Sequence, residues 1–152
     1  MKSSRGGGVF PLPSPSVALV GVLLCMMMQS ALPGEPAATL YKQCRDKPSA
    51  YEQRDCYPAV VRQSEFELAA AEKKVRAGMV ELEKISQGSR AMRPVHAFDQ
   101  AERAFRAFRN AESNRVLASY GSGNGGGLAA FEAIIEMNIA RVNLLTGEAG
   151  TR

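Results

Sequence analysis

The residues able to do chemistry in this chain of 152 residues are few. His96 is the single imidazole, and no serine or cysteine nucleophile is recognisable beside it, so a triad or dyad is not expected. It sits two residues after Pro94 and reads as a surface or capping residue at a helix start. Three cysteines are present: Cys25, Cys44 and Cys56. Two thiols twelve positions apart with one histidine make an incomplete zinc set. In an oxidising compartment the even pair Cys44 and Cys56 is expected to form a disulfide. The run GSGNGGG at 121–127 has no GK[ST] ending and follows no strand pattern. It reads as a flexible inter-helix loop rather than a phosphate cradle. Most carboxylates fall at helical spacing from basic residues, the pattern of a solvated face. Paired-acid glycosidase chemistry needs carboxylates converging in a cleft, which a small helical domain does not obviously offer. No catalytic, cofactor-binding or metal-ligating residue is assigned, and the chain is read as non-enzymatic.

One stretch, RAFRAFRNAES at 103–113, mixes cations with rings, a combination found where proteins hold phosphates and stack on bases. Wound on a helix at 100° per residue, Phe98, Ala101, Phe105 and Phe108 fall within about 80° of one another. Arg103 and Arg106 lie away from that stripe, each four residues after an acid, Asp99 and Glu102. Exposed i,i+4 pairs are therefore expected for both. Rings and arginines face different ways, so no nucleic-acid partner is expected. Arg109 and Glu112, on the flank of the stripe, are expected to form a partly buried ion pair.

The elements that position these residues are helical throughout. Val17–Met28 is an uncharged apolar run behind Lys2 and Arg5, too short for a membrane span and suited to a secretory signal peptide. Residues 1–31 are read as that signal, with an uncleaved signal-anchor as the alternative and lipidation at Cys25 disfavoured by Val22-Leu23-Leu24 before it. The expected location is periplasmic or secreted, with no stable membrane span after cleavage. Loss of Lys2 and Arg5 lowers the formal net charge from +4 by two, which leaves little long-range pull on nucleic acid or an anionic membrane.

Residues 32–50 form a tail and a short first segment around Leu40–Cys44. From about Tyr57 the pattern is helical, with Val61, Ser64, Leu68, Ala71, Val75, Gly78, Leu82 and Ile85 on a heptad stripe of mostly small side chains. Gly88 and Ser89 are the stop. A second helix starts near Pro94 and ends at Tyr120 and the glycine run. A third spans about Leu128–Leu145, with Leu128, Phe131, Ile135, Asn138, Val142 and Leu145 on one stripe and Gly147 as its cap. The fold expected is an all-α antiparallel bundle or hairpin of about three amphipathic helices, with one disulfide near the N-terminus. Its helical domain covers 51–146 and a C-terminal tail covers 147–152.

YKQC and the second cysteine, FDQAERAFRAFRNAES, the glycine-containing loop and EMNIARVNLL together resemble the N-terminal domain family of the lysozyme inhibitor LprI. Phe105 and Phe108 match the family's spaced aromatics, Arg109 its arginine, Ala111 and Glu112 its Ala-Glu, and Arg141 its final arginine. Cys44 and Cys56 match its first cysteine pair, and the likeness covers roughly 40–146. Ser113 stands where the family has a cysteine and Ala133 stands at its counterpart, so the resemblance implies one disulfide lost between the last two helices. It also implies an envelope protein that binds a protein partner, a lysozyme. The other expectation is a structural or adaptor role without inhibition.

Overall fold

The computed structural model describes residues 34–150; the expected signal peptide at 1–31 lies outside the described residues. Five helical segments follow in order: α1 Ala37–Arg45, α2 Ala50–Ile85, α3 Gln87–Ala91, α4 Pro94–Ser119 and α5 Gly126–Gly150. No strand occurs among the described residues. α2, α4 and α5 form the bundle. Contacts between α2 and α4, and between α4 and α5, run in opposite chain directions, whereas α2 and α5 run the same way. α1 lies against α2 and the early part of α5.

α2 begins seven residues before the expected Tyr57. Ser49 accepts a hydrogen bond from the Glu52 amide at 3.2 Å and donates to the Glu52 carboxylate at 3.1 Å. This Ser-x-x-Glu arrangement nucleates the helix upstream of Pro58, which the helix carries inside its second turn-and-a-half. Ser86, not Gly88, ends α2: it is extended and caps the single-turn α3, accepting from the Ser89 amide at 2.9 Å. Pro94 opens α4 as expected.

The heptad on α2 does not hold. The buried residues are Tyr57, Val60, Ser64, Leu68, Ala71, Val75 and Met79, spaced 3-4-4-3-4-4, an eleven-residue period. Gly78 is exposed and Ile85 is 75% exposed. A nearly straight helix drifts about 20° per heptad, so a long one replaces 78 by 79 at its buried seam.

The face of α4 also differs from expectation. Its buried residues are Phe98, Glu102, Arg109 and Ser113; Phe105 is half-buried, Ala101 is exposed and Phe108 is 62% exposed. The helix is turned by roughly 70° from the apolar stripe, because charged side chains rather than rings meet the neighbouring helices. α5 runs through Gly147 to Gly150, so Gly147 is not its cap. The glycine segment between α4 and α5 is a close turn. A Cβ on Gly126 would stand 3.0 Å from the Leu117 carbonyl oxygen, and Gly121 has φ +55°.

Two apolar clusters make the core. One joins Tyr41, Cys44, Tyr57, Val60 and Ile135, and the other Leu68, Ala71, Val75, Met79, Phe98 and Leu145. Cys44 and Cys56 are disulfide-bonded with Cα atoms 6.0 Å apart, fastening α1 to α2 beside the first cluster.

Candidate functional site

Between the two apolar clusters lies a polar layer. Asn138 of α5 is fully buried; its Oδ1 accepts from Arg109 Nη1 at 2.8 Å, and its Nδ2 donates to Ser64 Oγ at 3.0 Å. Ser64 passes its own proton to the Val61 carbonyl at 2.8 Å. One asparagine therefore joins all three long helices, with both halves of its amide used. Arg109 is 6% exposed, and its remaining donors meet Asn110 Oδ1 at 3.2 and 3.1 Å and Glu65 at 3.5 Å. All three nitrogens of this buried guanidinium are engaged within the protein.

One turn further along, Glu102 of α4 accepts from Arg141 of α5, whose guanidinium also lies 5.6 Å from the Phe105 ring centre. Arg106 donates to Glu72 of α2 at 2.6 Å, and Arg76 meets Asp99 at 2.9 Å. The Glu72 carboxyl is pushed up from its ordinary value, chiefly by burial, with the neighbouring Glu102 carboxylate adding to the effect and Arg106 opposing it. Glu72 Oε1 is buried without a hydrogen-bond partner. Ser113 donates to the Ala130 carbonyl at 3.1 Å, the point where α4 and α5 come together above the glycine turn.

The predicted motif residues thus divide. Phe105, Arg109 and Arg141 lie at the packed seam, with Phe105 and Arg141 in contact. Phe108 does not pack. Glu112 does not reach Arg109 but pairs with Arg115 at 2.6 Å on the surface. The local pairs expected for Asp99 with Arg103 and Glu102 with Arg106 are replaced by partners on other helices: Arg76 and Arg141 take the acids, and Glu72 takes Arg106. Cys44 and Cys56 lie in the other cluster. Asn138 and Ser64 were not expected as site residues, although each stood as the polar member of an apolar stripe. No cluster of three or more metal-ligating side chains occurs among the described residues.

The stretch from Cys44 in α1 to Leu145 in α5 contains the disulfide and every residue of the seam, and residues 44–145 match the family model described as lysozyme inhibitor LprI. The chain belongs to the LprI family. No curated protein and no solved structure matches it. Within this LprI domain both motif arginines have internal partners, Arg109 with Asn138 and Arg141 with Glu102. No helix among the described residues is long and apolar enough to cross a membrane.

The surface offers contacts of another kind. Ile85, 75% exposed, and Met92, 80% exposed, flank α3, and Arg93 next to them has φ 51° and ψ 51°. At the opposite pole, Tyr41 donates to Glu136 at 2.7 Å, which fixes α1 on α5, and Tyr57 donates to Glu132 at 2.6 Å, which fixes α2 on α5. Burial and these carboxylates raise both phenols well above their ordinary value, so they remain protonated donors.

Proposed function

We propose that this domain is an exported, non-enzymatic protein-binding domain that inhibits a lysozyme in the bacterial envelope. The observation that carries the reading is the match of residues 44–145 to the lysozyme-inhibitor family, which takes in nearly the whole described domain. The seam supports binding over catalysis: its polar groups answer one another across three helices, and Arg109 and Arg141 are paired within it. A disulfide supports an oxidising location outside the cytoplasm. The low formal charge implies that association with a basic lysozyme proceeds without long-range steering and relies on short-range fit.

The test is a turbidity assay in which purified protein is titrated into a vertebrate-type lysozyme acting on bacterial cells. Slowed clearing that saturates with the inhibitor-to-enzyme ratio is expected. Unchanged clearing at large molar excess would refute inhibition of that lysozyme and favour a structural or adaptor role in the envelope.

A further inference from the structure

The corner between α2 and α4 has a feature that the fold alone does not require. After α3 the chain turns through Arg93, whose backbone amide bonds the Arg90 carbonyl at 3.0 Å before Pro94 opens α4. This is the residue past a helix C-cap, a left-handed position that glycine occupies without strain. Arg93 is the only non-glycine residue with positive φ among the described residues. Its side chain is exposed and makes no hydrogen bond or ion pair among the described residues that would offset the strain.

Three further observations fall on the same corner. Ile85 and Met92 are the two most exposed large hydrophobic residues of the described domain, and no residue of α3 is buried. Arg90 is also exposed and without an ion pair. Of the nearby acids, Glu81 pairs with Lys84 at 2.7 Å, and Glu83 accepts from the Val95 amide at 3.2 Å rather than from a guanidinium. Two exposed guanidiniums without an ion pair and two exposed apolar side chains therefore lie on and beside the short α3.

We infer that this corner is the surface that contacts the partner, and that it fits a concave protein site with apolar walls and paired carboxylates at its floor. The inference rests on the lysozyme-inhibition reading and names the face that performs it. Arginine binds carboxylates through a planar fork of donors, and methionine adapts to an irregular apolar wall. A glycoside hydrolase holds two carboxylates across its scissile bond, and Arg90 and Arg93 would offer two guanidiniums to that acidic floor. Strain retained at a surface residue without an internal contact is what a contact residue selected for its side chain would show. Charge complementarity is local, which reconciles a nearly neutral domain with an acidic cleft.

The experiment compares the wild type with Arg93→Gly, Arg90→Ala and Met92→Ala, and with Phe66→Ala as an exposed control on α2 away from the corner. The wild type is expected to inhibit lysozyme. Each corner variant is expected to inhibit at least tenfold more weakly, and Phe66→Ala to match the wild type. Arg93→Gly is expected to melt higher than the wild type while inhibiting less, a split that a merely structural role would not give. A soluble N-acetylglucosamine oligomer filling the lysozyme cleft is expected to displace the protein. If the wild type inhibits and the folded corner variants inhibit equally, the corner is excluded while the inhibitor reading stands. If the wild type does not inhibit, both fall. Arg90 and Met92 occupy unstrained positions, so their variants decide the matter should Arg93→Gly fold poorly.

Discussion

Arg109 and Asn138 meet at 2.8 Å in the polar layer that separates the two apolar clusters, and Asn138 carries the link on to Ser64. Neither partner has water to turn to if the other is removed. Arg109→Ala and Asn138→Ala are each expected to destabilise the domain by about 3 kcal/mol, the cost of stranding a buried charged or polar group. The triple variant Ser64→Ala, Arg109→Met, Asn138→Leu should recover most of that loss, since an apolar layer strands nothing. Urea denaturation of the four proteins measures this. Additive losses with no recovery would contradict the coupling.

Glu72 gives the domain an acid-side dependence. Its carboxyl is raised in the folded state above 4.5, with Arg106 beside it and the Glu102 carboxylate and its Arg141 partner across the α2–α4 contact. Lys73, Arg76, Asp99 and Arg103 edge the same groove. A raised carboxyl binds its proton more tightly when folded, so its stabilising contribution is complete below the unfolded value and is lost as pH rises through the folded one. A proton on Glu72 also gives the orphan Oε1 a bond to make, toward Glu102. Between about pH 4.5 and neutrality, melting temperature is expected to fall more steeply in the wild type than in Glu72→Gln. Parallel curves would count against it.

Cys44 and Cys56 close a loop of twelve residues, and the bond fastens α1 to α2. Reduction, or the double change Cys44→Ser with Cys56→Ser, is expected to cost about 3 kcal/mol. Amide exchange should rise first in Ala37–Arg45, because the bond is what fastens α1 to α2, whereas α2 keeps its own tie to α5 through Tyr57 and Glu132. Equal exchange in the oxidised and reduced proteins would sink this.

Ser113 faces α5 at Ala130, one turn before Ala133. Side chains on a helix lean toward its N-terminus, so a side chain at 133 overhangs the 130 carbonyl. The pair Ser113→Cys and Ala133→Cys is expected to oxidise spontaneously into a second bridge, read as a mass about two daltons lower than the reduced form and a higher melting temperature. In the wild type, exchange over residues 113–133 should be faster than over 57–85. Two free thiols after air oxidation would show that the positions do not face each other.

How far the sequence disclosed this structure depends on whether a signal was local. Pro94 announced the start of α4, Tyr120 and the glycines its end, and the cysteine pair its bond, because each acts through its own backbone or chemistry. The start of α2 was also written locally, in Ser49 and Glu52, but the apolar pattern at Tyr57 spoke louder. The face of α4 was misjudged because Asp99 and Glu102 have arginines four residues on that suffice for exposed pairs. Their true partners, Arg76 and Arg141, lie on other helices, and no local spacing points to them. Asn138 and Ser64 were visible as polar letters in apolar stripes; that they touch each other required the fold.

The layer of Ser64, Arg109 and Asn138 also works as an index mark. If α5 slid by one helical turn, about 5.4 Å, Arg109 would face Ile134 or Val142 instead of Asn138. If α2 slid likewise, Asn138 would face Val60 or Leu68 in place of Ser64. Apolar contacts are non-directional and would tolerate such slips better; the polar rung does not. What Arg109 contributes in this chain, together with Asn138 and Ser64, is therefore alignment. Arg109, Asn138, Glu102 and Arg141 thus set which turn of one helix meets which turn of the next, and leave the outer faces of the helices free to carry other side chains.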